Sequence, residues 1–375
     1  MDAVDEVDDL NGDQKQARIN ELCPIEILDE GRPDGDGKVL FRVPTDKFQN
    51  ANIILAGYDE NGVIQWTWHM WMIPGGVDVV RFGDYNVLDR NLGATYAPEQ
   101  LTDITSSNVL STHGFYYQWG RKDPFVGMQA YDQTNNADTS SPWFYKSYDG
   151  IWTKKTKVDK LGRKAIDIIE TIKNPTRFAD SNQSEWQDTY ESNTDNDGPI
   201  NQMWGYTGVR GAWGDTFAKT MWDPCPPGYK VMNHIVFESG GLWNPNTGSV
   251  EGYRLYYRPN NGGTQSSNFG LWLYGDGKSD NDGMYTSTSG SSSNRMLEIH
   301  SDGLWFPNTR RLSIQGVYSQ YQSQRSGYVH SACPYSGEAS RTFRWYCSNN
   351  TNYANTAHAN DTYIATGTVI RCVKE

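Results

Sequence analysis

Glycine interrupts much of the second half of this chain, so the regular elements between the breaks are expected to be short. The chain has 37 glycines in 375 residues, and after Cys225 its apolar segments are short and end at glycine. Glycine adopts the positive φ angles of tight turns, whereas an α/β barrel or a helical bundle requires longer uninterrupted segments. The sequence therefore predicts many short strands joined by turns.

Composition and charge narrow the class of protein. Aromatic residues reach 13%, with 14 Trp and 23 Tyr, a profile that favours an extracellular or cell-surface binding protein over a cytosolic metabolic enzyme. The net charge of −12 argues against nucleic acid or an anionic membrane as a partner, since both require a basic patch. No apolar run is long enough for a membrane span. The acidic N-terminus lacks an apolar signal core, so an exported protein would have its signal outside this sequence.

The first 75 residues divide into two parts. Residues 1–20 are charged and poor in apolar side chains, which predicts disorder. Residues 21–75 carry strand patterns, and Asn61-Gly62 is a type I′ hairpin signal between the last two strands. The expected strands are 39–43, 51–58 and 63–71. Pro74-Gly75-Gly76 is typical of a linker, so we place a boundary near residue 75.

The rest of the chain, 76–375, forms one large glycine- and aromatic-rich region. Within it, residues 130–215 are rich in Asp, Asn, Ser, Thr and Trp and are predicted to be an insertion. The segment from Gly114 to Gly120 has the pattern of a short amphipathic helix that ends at glycine. A short strand is expected from Ala165 to Ile172.

The cysteines and histidines lack the spacings of zinc sites. No C-x-x-C pair and no His-x-x-x-His occurs, and five cysteines allow two disulfides and one free thiol in a pairing that spacing leaves open. Asp195–Gly198 and Asp276–Gly283 supply oxygen ligands and a turn, as calcium loops do, but neither has the twelve-residue loop with a terminal Glu. Asx-rich turns are the simpler interpretation, and we predict no cofactor.

No motif of a serine nucleophile, a phosphate loop or a dinucleotide site occurs in the chain. The sequence does not exclude a pair of catalytic carboxylates of the glycosidase type, because acidic residues are abundant and the sequence gives no distances between them. The sequence therefore favours a non-enzymatic protein.

The segment from Cys347 to Tyr363 has an unusual composition. It contains no Lys, Glu, Gln, Met or Trp, and a strand pattern from Thr366 to Val373 follows it. Small polar residues with scattered Tyr and His do not build a core, but they suit a contact surface, because Tyr and Asn combine contact area with adaptable hydrogen bonding. A solvated loop is the alternative interpretation.

Several phrases resemble one family of Bacteroidetes surface proteins. They are Gln65-Trp66-Thr67-Trp68-His69-Met70-Trp71, Leu88-Asp89-Arg90-Asn91-Leu92-Gly93-Ala94, Tyr116-Tyr117-Gln118-Trp119-Gly120-Arg121-Lys122-Asp123-Pro124-Phe125, Asp223-Pro224-Cys225-Pro226-Pro227-Gly228-Tyr229 and Val369-Ile370-Arg371-Cys372-Val373-Lys374-Glu375. Together they resemble the Fibrobacter succinogenes major paralogous domain, which ends fimbrillin-like pilus-tip proteins. The resemblance covers about residues 52–375.

The resemblance implies an α+β fold: a C-type-lectin-like domain with long irregular loops, preceded by antiparallel strands of a partial β-sandwich. It implies a Cys225–Cys372 disulfide, secretion and display on the cell surface. Lectin-like folds also carry the variable regions of diversity-generating retroelement proteins, in which randomised adenines yield the residue types found from Cys347 to Ile364. Either a diversified or a fixed surface fits this single sequence.

The function expected from this resemblance is that of a cell-surface or pilus-tip adhesin. Its lectin-like domain would bind a host or microbial glycan or a surface protein, with other pilus subunits as further partners. The contact candidates are Tyr328, His330, Tyr335, Tyr346, Asn349, Asn350, Asn352, Tyr353, Asn355, His358, Asn360 and Asp361. A structural pilus subunit is one alternative. A formylglycine-generating type of oxidase is another, with Cys333 and Cys347 as its thiols, although that family's other motifs are absent.

Overall fold

The computed structural model describes many separate segments of the chain. They are residues 10–29, 38–97, 110–128, 140–162, 168–180, 203–205, 218–233, 235–236, 243–244, 249–250, 253–257, 268–274, 303–307, 309, 311–318, 326–334, 339–347 and 354–375. Strands predominate, and the described residues contain two α-helices. This content is that of a β-rich or α+β protein. Neither of the described helices is long and apolar enough to cross a membrane.

The helices are α1 (Gly12–Leu22) and α2 (Ile168–Lys173), and a short 3-10 helix spans Thr45–Lys47. The strands, in chain order, are β1 (Glu26–Asp29), β2 (Leu40–Arg42), β3 (Ala51–Tyr58), β4 (Ile64–Met72), β5 (Val79–Phe82), β6 (Tyr85–Leu88), β7 (Tyr117–Gln118), β8 (Trp143–Lys146), β9 (Trp152–Lys155), β10 (Asp159–Lys160), β11 (Arg177–Phe178), β12 (Tyr229–Val231), β13 (Trp243–Asn244), β14 (Ser249–Val250), β15 (Tyr253–Tyr257), β16 (Asn268–Tyr274), β17 (Gly303–Pro307), β18 (Ser326–Pro334), β19 (Ala339–Cys347), β20 (Ala354–Tyr363), β21 (Gly367–Ile370) and β22 (Cys372–Lys374).

The chain divides into two compact units. The first comprises residues 1–76 together with 142–157, and the second comprises 77–141 together with 158–375. The N-terminal segment of the first unit therefore ends at Gly76, one residue after the boundary expected from the Pro-Gly-Gly linker. Residues 142–157, which lie inside the expected insertion, belong to the first unit.

The first unit contains the expected hairpin. Strands β3 and β4 pair antiparallel, and Gly62 in the turn has a φ of 74°. The carboxylate of Asp59 accepts the backbone N–H groups of Asn61 and Val63, which closes the turn. The hairpin is confirmed, but the turn is not of type I′: the N–H of Gly62 donates to the carbonyl of Asp59 at 3.1 Å, so Glu60 and Asn61 form the centre of the turn and Gly62 takes the positive-φ position after it.

A second hairpin, β8–β9, packs beside α1 in the first unit. The side chain of Gln16 forms two hydrogen bonds to the backbone of Trp152, and the indole N–H of Trp152 donates to Asn20. On the other side, the ring of Tyr148 lies 5.4 Å from that of Tyr58. These contacts connect the hairpin to residues more than 80 positions away in the chain.

Three local predictions are wrong. Disorder over 1–20 gives way to α1 from Gly12, because Asn11 and Gln14 form a reciprocal capping box. The expected strand at 165–172 is replaced by α2, whose Glu170 and Lys173 match the helix dipole. In place of the expected helix at 114–120 the chain forms the short strand β7, because β7 pairs with β21 and Tyr116, Tyr117 and Trp119 are buried.

The second unit contains the larger sheets of the described chain. One has the strand order β12-β22-β6-β5, and another has the order β20-β19-β18-β21-β7. Strands β15, β16 and β17 form a three-stranded antiparallel sheet. The last ten residues supply β21 to one sheet and β22 to another, so the C-terminus joins the two.

Large aromatic side chains form the core of the second unit. Trp119 and Trp204 are almost fully buried, and their rings lie 5.8 Å apart. Phe125 and Phe178 contact edge to face at 5.1 Å. Such pairs add roughly 0.5–1.5 kcal/mol each beyond the burial of their area. Four of the eight aromatic residues in the family-like motifs are buried and serve packing, namely Tyr116, Tyr117, Trp119 and Phe125.

Candidate functional site

The expected contact segment lies on a three-stranded antiparallel meander formed by β18, β19 and β20. Strand β18 also pairs in parallel with β21, where Val329 stands opposite Val369. Strand β20 is the first in the order of this five-stranded sheet. The polar segment from residue 347 to 363 therefore includes the outer strand and approaches it from β19.

The C-terminal arginine fixes β22 and β6 relative to each other. Arg371 is buried, and its Nε donates to Oδ1 of Asn91 at 3.0 Å while one Nη donates to the carbonyl of Leu88 at 3.0 Å. Its guanidinium lies 4.5 Å from the centroid of the Phe306 ring. Asn91 in turn donates to the carbonyl of His113. These interactions satisfy a charge that burial would otherwise penalise heavily.

The turn around Asp223 precedes β12, the strand that pairs with β22. One carboxylate oxygen accepts the N–H of Cys225 at 2.9 Å, and the other accepts the N–H of Val231 at 2.8 Å. Burial raises the pKa of Asp223, opposed by Lys219 at 3.1 Å. This turn presents Cys225 to Cys372, and the expected Cys225–Cys372 disulfide is confirmed, with the two Cα atoms 5.9 Å apart.

Gln118 and Arg121 hold the other edge of the five-stranded sheet. The amide of Gln118 donates to the carbonyls of Ala179 and Ala365 at 3.0 and 2.9 Å. Arg121 donates to Gln118 and to the carbonyl of Arg177, and burial lowers its pKa to about 10. The family-like phrases thus supply the internal hydrogen bonds that fix the sheet. The contacts described for Gln118 and Arg121 are hydrogen bonds within the fold, so they indicate a structural role.

Two of the expected contact residues lie inside the protein. His330 is fully buried, 6.0 Å from the Trp204 ring, and Tyr328 is only 6% exposed. Both belong to β18, which is buried from residue 327 to 333, and the Arg311 guanidinium lies over the Tyr328 ring. We therefore retain neither side chain as a ligand contact.

His330 instead connects β18 to β19 and to the turn before β21. Its Nε2 lies 3.0 Å from the carbonyl of Thr366, which can only accept, so Nε2 carries the hydrogen. Its Nδ1 is 3.3 Å from the hydroxyl of Thr342 and accepts from it. Burial lowers the pKa of His330 from 6.5 to about 4. The imidazole is therefore held neutral inside the second unit.

The remaining described candidates stand on β19 and β20. In the register of these strands, Tyr346 is opposite Thr356, Arg344 is opposite His358, and Thr342 is opposite Asn360. Asp361 is opposite Arg341, and Asn355 adjoins the irregularity next to Cys347. The candidates Tyr335, Asn349, Asn350, Asn352 and Tyr353 lie outside the described residues, as do both calcium-like loops.

The register separates the two cysteines of the oxidase alternative. Tyr346 pairs with Ser326, so Cys347 lies at the start of β18, whereas Cys333 lies near its end. About seven residues of extended strand separate these levels, or roughly 23 Å at 3.3 Å per residue. Two thiols at that distance do not form a working pair.

Sequence reasoning missed two basic residues beside this hairpin. Arg344 is the cross-strand partner of Tyr328, and the guanidinium of Arg311 lies 5.1 Å from the centroid of the Tyr328 ring. The available signal was local charge, which the whole-chain value obscured. Residues 303–360 contain five arginines, no lysine and one glutamate, a net charge of +4 in a chain of −12.

Comparisons with known proteins do not assign the chain to a family. No protein-family model, no curated protein and no solved structure matches it. Within the described segments, no group of three or more His, Cys, Asp or Glu side chains is placed to hold a metal ion.

Proposed function

We propose that this protein is a cell-surface or pilus-tip adhesin whose second unit has a C-type-lectin-like fold and binds a glycan or protein through the β19–β20 hairpin. One observation carries the proposal. A segment with the composition of a contact surface lies at the outer strand of a sheet whose inner strand is buried. The motif resemblance to the pilus-tip family points the same way.

The rigidity of the scaffold supports a binding role. Affinity is lost when a surface must be ordered during binding, so a surface fixed beforehand binds more tightly. The disulfide to Cys372, the buried Arg371 and the bridging His330 fix the strands that support the hairpin. The disulfide also suits an exported protein, because such bonds persist in oxidising compartments.

The test is binding of the purified protein to an array of glycans and surface glycoproteins. One variant carries Tyr353→Ala, Asn355→Ala and His358→Ala. The matched control carries Tyr96→Ala and Asn86→Ala, which alter an exposed tyrosine and an exposed asparagine elsewhere in the second unit. We expect the hairpin variant to lose binding and the control to retain it.

Two results would contradict the proposal. Binding unchanged in the hairpin variant would remove the ligand surface from β20 and its preceding loop. Absence of binding to every ligand by the unaltered protein would favour the structural pilus subunit. Immunogold labelling of assembled fibres would then show label along the shaft rather than at the tip.

A further inference from the structure

The β3–β4 hairpin of the first unit has two faces of different character. Successive residues of a strand point to opposite faces, and the register places Leu55 opposite Trp68. One face therefore carries eight residues without a charged, hydroxyl or amide side chain. We call it the apolar face, and its residues are Ala51, Ile53, Leu55, Gly57, Trp66, Trp68, Met70 and Met72. The ring of Trp68 lies against Gly57 on the neighbouring strand, where a Cβ atom would be 3.4 Å from it.

The opposite face of the hairpin is more polar, yet the chain itself covers it. Thr67 on this face is only 4% exposed, and Nε2 of His69 lies 2.9 Å from Oδ1 of Asn52. The β8–β9 hairpin also contacts this face, because the ring of Tyr148 lies 5.4 Å from that of Tyr58. The covering elements of the first unit thus contact the polar face of the β3–β4 hairpin.

None of the eight residues of the apolar face is buried. Trp68 is 46% exposed, and the other seven are partly exposed. The apolar face of a sheet is normally buried against a second layer, but the described strands of the first unit form three separate two-stranded sheets. Its remaining sequence offers little to cover an apolar surface. Residues 1–9 contain five acids, and residues 30–37 contain no Ile, Leu, Val, Met or aromatic side chain.

The composition of the apolar face fits a protein partner. The centres of protein interfaces are enriched in Trp and Met and depleted in charged residues, and this face has two Trp, two Met and no charge. A sugar would instead require hydroxyl, amide or carboxylate groups as hydrogen-bonding partners. Eight residues extend over about 26 Å and two strands over about 10 Å, so the face measures roughly 250 Å². Exposed apolar patches of a few hundred Å² often mark interaction sites.

Charge and symmetry favour a second copy of this chain as the partner. Two copies with a net charge of −12 each repel one another, so a contact between them requires a surface without charge, and the apolar face is such a surface. A two-fold axis brings the same patch of both copies together. Because every position of the face is apolar, apolar residues meet apolar residues at any offset of the two strips. A basic partner would find no acidic side chain on this face.

We propose that the apolar face packs against the same face of a second copy, so that two chains form a two-fold dimer through their first units. Face-to-face packing of two sheets gives a sandwich whose layers lie about 10 Å apart. The inference concerns the first unit and does not depend on the ligand surface proposed for the second. If the second unit binds a ligand as proposed, the dimer presents two binding surfaces and gains avidity.

The size of the apolar face sets the strength of the dimer. Two copies would bury about 500 Å² of flat area, and the relief of the side chains raises this towards about 1,000 Å². Stable complexes bury about 1,200–2,000 Å², so this contact belongs to the weak and reversible class. Interfaces of about 1,600 Å² already include micromolar ones, and we expect a dissociation constant between about 10 and 300 µM.

The experiment is analytical ultracentrifugation of the full chain from about 5 to 500 µM, a range that spans the expected dissociation constant. Trp68→Lys places a charge on the apolar face from β4, and Ile53→Lys does so from β3. Tyr96→Lys is the matched control, because Tyr96 belongs to the second unit and, like Trp68, is 46% exposed. Circular dichroism of each variant checks that it is folded, and the unaltered protein tests self-association without any substitution.

We expect the mass of the unaltered protein to rise from one chain towards two as its concentration increases. Trp68→Lys and Ile53→Lys should each weaken the dimer about 10-fold or more, because like charges then meet within an apolar contact. Tyr96→Lys should leave the dissociation constant unchanged. An increase in NaCl from about 0.1 to 1 M should strengthen the dimer, because salt screens the repulsion between two acidic chains.

Four results would overturn the inference. The mass of a single chain at every concentration would exclude the dimer and leave the apolar face to a different subunit. A dimer that both lysine variants retain would place the contact elsewhere, and so would an equal loss in Tyr96→Lys. Association that weakens with added salt would show that opposite charges hold it. The glycan array measures binding by the second unit separately, so failure of the dimer leaves the adhesin proposal standing.

Discussion

Removal of the Cys225–Cys372 disulfide is the sharpest test of how the second unit is held together. The cross-link joins residues 147 apart in the sequence. Closing a loop of that size lowers the entropy of the unfolded chain by an amount worth about 5 kcal/mol at 25 °C. A typical domain is stable by only about 5–15 kcal/mol, so this one bond supplies a large share.

The native contacts around the bond lose little when it opens. Strand β22 keeps its pairing with β12, in which Cys372 stands opposite Val231, and Arg371 keeps its hydrogen bonds. We therefore expect most of the loss to come from the unfolded state. The sheet should still form, and its urea midpoint should fall.

Urea unfolding followed by tryptophan fluorescence measures the effect in two ways. Reduction of the unaltered protein removes only the cross-link, whereas Cys225→Ala with Cys372→Ala also removes two buried sulfur atoms and should cost slightly more. Cys23→Ala is the control, because Cys23 is a free thiol in the first unit. A loss below about 1 kcal/mol on reduction would refute the loop-entropy reasoning.

Two further changes test the buried polar groups of the second unit. Arg371→Met leaves Oδ1 of Asn91 and the carbonyl of Leu88 without this donor and should cost about 3–6 kcal/mol in urea unfolding, whereas exposed Lys374→Met should cost under about 0.5 kcal/mol; equal losses would contradict this assignment. Burial lowers the pKa of His330 to about 4, so the unfolded chain takes up a proton first as the pH falls below 6.5. Stability should therefore decline by up to about 3 kcal/mol between pH 6.5 and 4, and NMR titration of the folded imidazole at an ordinary pKa would contradict this.

The sequence predicted those parts of the fold that local chemistry determines. The β3–β4 hairpin follows from Asn61-Gly62 and from the extended apolar pattern on each side, and its first strand has the expected bounds. The disulfide was implied by the resemblance of two phrases, around Cys225 and Cys372, rather than by their spacing. A turn signal needs no distant partner, which is why the hairpin could be predicted from the local sequence.

The elements that were wrongly predicted depend on distant residues. The helix α1 is short and polar, but it is fixed by Gln16 to a hairpin about 130 residues later. The extended strand β7 takes its conformation from pairing with β21, at the other end of the chain. An apolar run of that length fits a helix or a buried strand equally well, and only its partner decides.

The prediction that Tyr328 and His330 contact a ligand also depended on distant residues that the local sequence does not show. Polar side chains favour a surface on average, but both faces of β18 are covered from residue 327 to 333, with the Trp204 ring against His330 and the Arg311 guanidinium over Tyr328. The hydroxyl of Thr342 and the carbonyl of Thr366 satisfy His330, and neither partner is near it in sequence. Composition predicts a contact segment, but the packing against each face of a strand decides which of its side chains are exposed.

The arginines of the second unit differ in what surrounds their positive charge. Arg90, Arg121 and Arg371 are each buried and satisfied by several internal partners, so their positive charges serve the fold. Arg311 is partly exposed and has an aromatic support but no described acid. Because Arg311 keeps contact with water, its charge escapes the desolvation penalty that the three buried arginines offset with internal partners.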